Sequence, residues 1–247
     1  MKLYVMDAFS AQLFGGNQAG VALPERELPD ETMRQIAAEL KHSETAFVRV
    51  EDDGSVSLRY FTPAGEVELC GHATVASFAL LRQLGRIGDG DVTAHTRAGE
   101  LSVTVQGGTV WMDMAKPRLL RELGEDEWDA FYEAYGLTTA DRPEGLTPAI
   151  VSTGLADVML PVRDHDTLMR AVQNEAAVTA LSKKYDVTGV HMFCLGDGCT
   201  AYCSNYAPLY DIPEECATGT SNGALTYYLY LRGIVQPGQE NVFLQGE

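Results

Sequence analysis

Cys70 and Cys216 are the residues from which chemistry could start. Each stands before small and hydroxyl-bearing residues, Gly71-His72-Ala73-Thr74 in one place and Ala217-Thr218-Gly219-Thr220-Ser221 in the other. Each string opens an uncharged run that ends only at Arg82 or Arg232. Such a run reads as a helix buried on all sides. The first-turn amides of a helix lack partners within it and form an anion site. A thiol placed there feels the positive end of the helix dipole, which favours thiolate. Two such helices facing each other would bring two thiols to one bound carboxylate. A thiolate base on one face of a carbon and a thiol acid on the other can remove and return a proton, inverting the centre.

The elements that must position these thiols recur. Lys2 to Met6 reads as a strand, Ala19 to Leu23 as a short apolar segment, and Pro29 to Lys41 as a helix with Met33, Ile36, Ala37 and Leu40 on one face. Ser43-Glu44-Thr45 leads into a hairpin, Ala46 to Val50 and Ser55 to Phe61, and Thr62-Pro63 leads to the Cys70 helix. A second hairpin joins Leu101–Val105 to Thr109–Met114. An acidic, mainly helical stretch is expected from Lys116 to about Tyr135. The second half then retraces the first: strand over Ile150 to Val162, helix over Asp166 to Lys184, hairpin over His191 to Tyr206, and Ala207-Pro208 leading to the Cys216 helix. The expectation is an α/β (α+β) chain of two pseudo-symmetric domains, 1–117 and 118–247, each a strand barrel around a central buried helix.

Composition narrows the partners. The 247 residues carry a net charge of −17, so nucleic acid and anionic membranes are poor partners. The uncharged runs fall short of the ~20 apolar residues of a membrane span. No N-terminal stretch combines basic residues with an apolar core, which excludes a signal peptide. Five cysteines, odd in number and irregularly spaced, argue against a disulfide framework and for a reducing cytoplasm. Cys194, Cys199 and Cys203 share one hairpin at spacings that suit no zinc site, so structural thiols are expected. No nicotinamide, flavin or pyridoxal signature is present, and the expectation is no cofactor.

Asp7-Ala8-Phe9, Gly16-Asn17, Ser43-Glu44-Thr45-Ala46-Phe47, Arg59-Tyr60-Phe61-Thr62-Pro63 and Leu69-Cys70-Gly71-His72-Ala73-Thr74 together resemble the PhzF-like family of phenazine biosynthesis. Ser152-Thr153-Gly154 and Thr218-Gly219 extend the resemblance into the second half. It implies the diaminopimelate epimerase and proline racemase fold, an active site between two similar domains, usually a homodimer, and cofactor-free isomerisation by proton transfer. It also implies that Glu44 shuttles a proton, with Ser43 beside it and His72 and Asn17 hydrogen bonding the substrate. One departure stands out. Where the family has proline, this chain has Cys216, the position of the second catalytic thiol in the racemases.

These residues lead to a cofactor-independent isomerase of a small carboxylate or amino acid. Racemisation or epimerisation by Cys70 and Cys216 is the first expectation. A Glu44-driven isomerase of a cyclic or enol-bearing acid is the alternative, and a carboxylate-binding protein without turnover is a third. Gly71, His72, Ala73, Thr218, Gly219, Thr220 and Ser221 are expected to hold the carboxylate.

Overall fold

The computed structural model describes every residue except Leu13 and Glu247. The chain forms two compact units, Met1–Asp113 and Met114–Glu247.

The first unit is an eight-stranded sheet around one helix. Its strands are β1 (Lys2–Ala8), β2 (Asn17–Leu23), β3 (Thr45–Val50), β4 (Val56–Phe61), β5 (Glu66–Val67), β6 (Gly90–Thr96), β7 (Gly99–Gln106) and β8 (Thr109–Met112). They run in the order β1-β2-β3-β4-β6-β7-β8, with β5 beside β4. Helix α1 (Asp30–Leu40) makes the crossover between the parallel strands β2 and β3, and α2 (Gly71–Gln83) follows β5. Helix α2 packs on β1 and β2 and also on β7 and β8, which lie at opposite ends of the strand order. Only a sheet curled around the helix permits that.

The uncharged run explains why α2 can sit inside. Ala73, Ala76, Phe78, Leu80 and Leu81 are buried among Val21, Val48, Leu58, Val103 and Val105. Its buried hydroxyls are satisfied locally, since Thr74 Oγ1 donates to the Cys70 carbonyl at 2.7 Å and Ser77 Oγ to that of Ala73 at 2.6 Å. Burying one such leucine or phenylalanine contributes about 1.5–3 kcal/mol.

The second unit repeats the order. Its strands are β9 (Arg118–Glu122), β10 (Ala149–Ser152), β11 (Ala156–Pro161), β12 (Gly189–Leu195), β13 (Ala201–Ala207), β14 (Ile212–Glu215) and β15 (Phe243–Gln245). Helices α3 (Glu125–Glu133), α4 (His165–Met169), α5 (Glu175–Tyr185) and α6 (Gly219–Leu231) complete it. The antiparallel pair β1–β2, the parallel β2–β3 crossover and the β3–β4 hairpin correspond to β10–β11, β11–β12 and β12–β13. The parallel pairs β4–β6 and β13–β15 correspond as well.

Four sequence expectations need correction. The stretch after Lys116 begins as a strand, because Arg118–Glu122 pairs with β10 and tertiary pairing overrides an exposed, helix-compatible composition. The helix expected over Asp166 to Lys184 is two helices, the second started afresh by Asn174, whose Oδ1 accepts from Ala177 N at 3.1 Å. Gly90–Thr96 adds a strand not foreseen in the sequence. Finally, α6 is not covered on all sides. It packs chiefly on β9, β10 and β11, and Tyr230 and Leu231 at its end are exposed.

Candidate active site

Three elements of the first unit bring Glu44, Cys70 and His72 together. Helix α1 ends at Lys41, whose left-handed backbone (φ 58°) turns the chain out of the helix. His42, Ser43 and Glu44 then connect to β3, where the register pairs Thr45 with Gly20 of β2. Gly20 is required there, since a Cβ would lie 2.6 Å from Thr45 Oγ1. Its amide donates to the Glu44 carbonyl at 3.2 Å, fixing Glu44 against the strand that begins at Asn17 and Gln18. Asn17 is buried and Ser43 is exposed.

Cys70 is the N-cap of α2 in extended conformation, and its own side chain makes no capping hydrogen bond. The amides of Gly71, His72 and Ala73 form its first turn, as an anion site requires. Cys70 is 6% exposed. Its Sγ lies 3.4 Å from His72 Nδ1 and 3.9 Å from Nε2, while Nε2 lies 3.6 Å from Glu44 Oε2. Sulfur, imidazole and carboxylate thus fall within 4.8 Å of one another. Burial holds the His72 imidazole below its ordinary pKa, opposed by the Glu44 charge and a hydrogen bond with the Gln18 backbone. Glu44 Oε2 is buried and accepts no hydrogen bond. Beneath them, Tyr60 and Thr74 share a 2.6 Å hydroxyl contact, and burial pushes the Tyr60 phenol up.

In the second unit the cysteine is placed differently from the sequence expectation. The N-cap of α6 is Thr218, so Cys216 lies ahead of the helix, just after β14, and it is exposed. It has a different relation to its helix from that of Cys70, because the Ala217-Thr218 step intervenes before the first helical residue, Gly219. Gly219 and Thr220 open α6, and Ser221 is buried. Gly246 (φ +78°) packs on the Cys216 backbone, where a Cβ would meet the carbonyl oxygen at 2.5 Å.

The α6 end rests on a polar network that the sequence patterns did not reveal. Gln245 Oε1 accepts from Thr218 N and Asn222 Nδ2 at 3.2 and 3.0 Å. Its Nε2 donates to the Glu215 carbonyl and Thr218 Oγ1 at 2.8 and 3.0 Å. Asn205 Nδ2 donates to His191 Nδ1 at 3.1 Å, so the His191 proton resides on Nε2, which donates to Asn222 Oδ1 at 3.1 Å. Asn205 also donates to Ser221 Oγ, which donates to Asp157 Oδ2 at 2.5 Å. Burial pushes Asp157 up and His191 down to about 4. The usable signal was the pairing of polar residues on adjacent strands, His191 opposite Asn205. Cys194 and Cys203 are buried and Cys199 half-buried, and none of the five cysteines forms a disulfide. Among the described residues no helix is long and apolar enough to cross a membrane.

Comparison with known proteins places these features. Residues 6–247 match the PhzC-PhzF family, described as phenazine biosynthesis-like protein. The chain is 33% identical over 246 residues to a protein of Escherichia coli named uncharacterized isomerase YddE, covering 98% of this chain and 82% of that one. A crystal structure of a Bacillus anthracis phenazine biosynthesis protein of the PhzF family superposes with a TM-score of 0.83 at 27% identity, covering 93% and 80% of the two chains. A probable proline racemase of Agrobacterium radiobacter shares the fold, with a TM-score of 0.64 at 13% identity over 99% of this chain and 82% of that one.

Proposed function

Since the chain belongs to the PhzC-PhzF family of phenazine biosynthesis-like proteins, we propose that this isomerase works without a cofactor, moving a proton at a carbon next to the carboxylate of a small acid. One observation carries the reading. A carboxylate, an imidazole and a thiol, side-chain types suited to proton transfer near neutral pH, gather at the N-terminal start of a buried helix. The substrate carboxylate binds the first-turn amides of α2, assisted by Asn17. Those amides also favour the negative charge that builds up there as the carbon loses its proton. Glu44 takes the proton, and His72 and Cys70 guide its return on the same face to the far carbon of the adjoining double bond, so the double bond moves by one position and the proton count is unchanged.

A second reading, racemisation of an amino acid, is favoured by a separate observation: Cys216 is free and exposed where the family resemblance has proline. In that reaction Cys70 and Cys216 serve as base and acid on opposite faces, with Gly219, Thr220 and Ser221 adding to the carboxylate contacts. A homodimer in the cytoplasm, acting on small molecules rather than on nucleic acid or membrane, accompanies both readings.

Proton NMR in deuterium oxide tests them together. Wild type, Glu44→Gln, Cys70→Ser and Cys216→Ser are incubated with a panel of L-amino acids and cyclic enol-bearing acids. Exchange or a shifted double bond that depends on Glu44 and survives Cys216→Ser supports the first reading. Appearance of the opposite enantiomer, lost in both serine variants, moves the assignment to the thiol pair. Absence of exchange with every acid refutes both.

A further inference from the structure

The ligand atoms of Glu44, Cys70 and His72 have the chemistry and spacing of a transition-metal site. We propose that these three side chains bind a zinc ion, and that the bound ion silences the proton chemistry of the same residues.

The donor set comes first. A thiolate, an imidazole and a single carboxylate form a borderline-soft combination that suits zinc, whereas magnesium and calcium take oxygen ligands. Geometry comes next. Tetrahedral zinc, with sulfur at about 2.3 Å and nitrogen or oxygen at about 2.0–2.1 Å, has ligand-to-ligand edges of about 3.3–3.6 Å. His72 Nε2 stands 3.9 Å from Cys70 Sγ and 3.6 Å from Glu44 Oε2. Both distances match those edges to within a few tenths of an ångström, and because Sγ also lies 3.4 Å from Nδ1, the imidazole must turn about its side-chain bonds to aim Nε2 between sulfur and carboxylate. The remaining edge is within 4.8 Å, and rotation of the partly exposed Glu44 side chain closes it.

One further observation points to a cation. Glu44 Oε2 is buried, faces the imidazole and has no hydrogen-bond donor, so a positive ion would supply its missing partner. The fourth coordination position is left to water or to a substrate oxygen. On binding, the Cys70 thiol proton leaves to solvent and the sulfur bonds the metal as thiolate. The ion then takes the imidazole lone pair and, by withdrawing electron density, lowers the basicity of the bound thiolate and carboxylate, so none of the three is a competent base for the substrate proton. That the ion binds stands on this geometry alone; that it blocks turnover rests on the proposed isomerase chemistry.

Cobalt(II) provides the test, since it takes zinc sites and reports thiolate ligation by an absorption band. The full chain, stripped with EDTA, is titrated with cobalt chloride. One equivalent should produce a thiolate-to-cobalt charge-transfer band that zinc bleaches and magnesium does not. Cys70→Ser should abolish the band and Cys216→Ser should leave it unchanged. His72→Gln should weaken cobalt binding by about tenfold or more, and circular dichroism confirms that each variant is folded. Wild type that shows no band, or a band that survives Cys70→Ser and vanishes in Cys216→Ser, overturns the proposal. Substrate exchange without cobalt binding would remove the zinc site and leave the isomerase reading standing. Cobalt binding without exchange on any acid would do the reverse.

Discussion

His72 Nε2 lies 3.6 Å from Glu44 Oε2, close enough for charge to be felt and too far for a hydrogen bond. The carboxylate oxygen is buried without a donor. An acceptor left in that condition is costly to the fold and useful for taking a proton.

Glu44→Gln should therefore separate function from stability. Exchange of substrate protons is expected to fall about 100-fold or more, as for loss of a general base. The unfolding midpoint in urea should stay the same or rise, because a buried carboxylate oxygen without a hydrogen bond gives way to a neutral amide that is less costly to bury. A marked fall in stability would show that Glu44 is structural.

Thr74 and Tyr60 behave oppositely. Their 2.6 Å contact satisfies both buried hydroxyls, so Thr74→Val strands the Tyr60 hydroxyl and should cost about 1–3 kcal/mol in urea unfolding. Thr74→Ser should recover most of that loss. Equal losses in the two variants would show that the hydroxyl contact does not set the cost.

His191 should make the fold sensitive to acid. Its imidazole is held neutral to about pH 4 in the folded state, while an unfolded imidazole titrates near 6.5. The unfolded chain thus binds the extra proton first. Stability from this group is complete above about pH 6.5 and is lost towards pH 4, at up to about 1.4 kcal/mol per pH unit. His191→Gln should be less stable than wild type at pH 7, and the gap should narrow as pH falls through this window. A gap independent of pH, measured by urea unfolding at pH 7 and 4.5, would contradict the buried neutral ring. Asp157, pushed up, acts with the opposite sign, so the variant comparison rather than the wild-type curve isolates His191.

The five thiols should react in a fixed order. Cys216 is exposed and should be alkylated by iodoacetamide first. Burial pushes Cys194 up to about 11 and Cys203 well above the ordinary thiol range, so both should resist until the fold opens. Peptide mapping by mass spectrometry reads the order, and early labelling of Cys203 would contradict the packing of β13.

Several of these features were legible in the sequence because they are local. The uncharged run after Cys70 announces the central helix, since exclusion of charge from a buried element shows in every residue. The repeated order of strand, helix, hairpin, proline and helix shows in apolar periodicity and turn residues. The strand Arg118–Glu122 was not legible, as all five residues are exposed and only its pairing with β10 makes it a strand. Nor was the break before Asn174, where a cap within an otherwise helical composition restarts the chain.

The sequence by itself determined the family, the fold class and the residue types capable of moving a proton. Only the tertiary structure decided which of them meet. Glu44 reaches Cys70 and His72 because the parallel register of β2 with β3 and the curl of the sheet around α2 bring distant segments together. The tertiary structure likewise set Cys216 ahead of its helix, although its string closely echoes that of Cys70. Side-chain pattern encodes which face of an element is buried. The distance between two side chains depends on strand register and sheet curvature, to which residues far apart in the chain contribute.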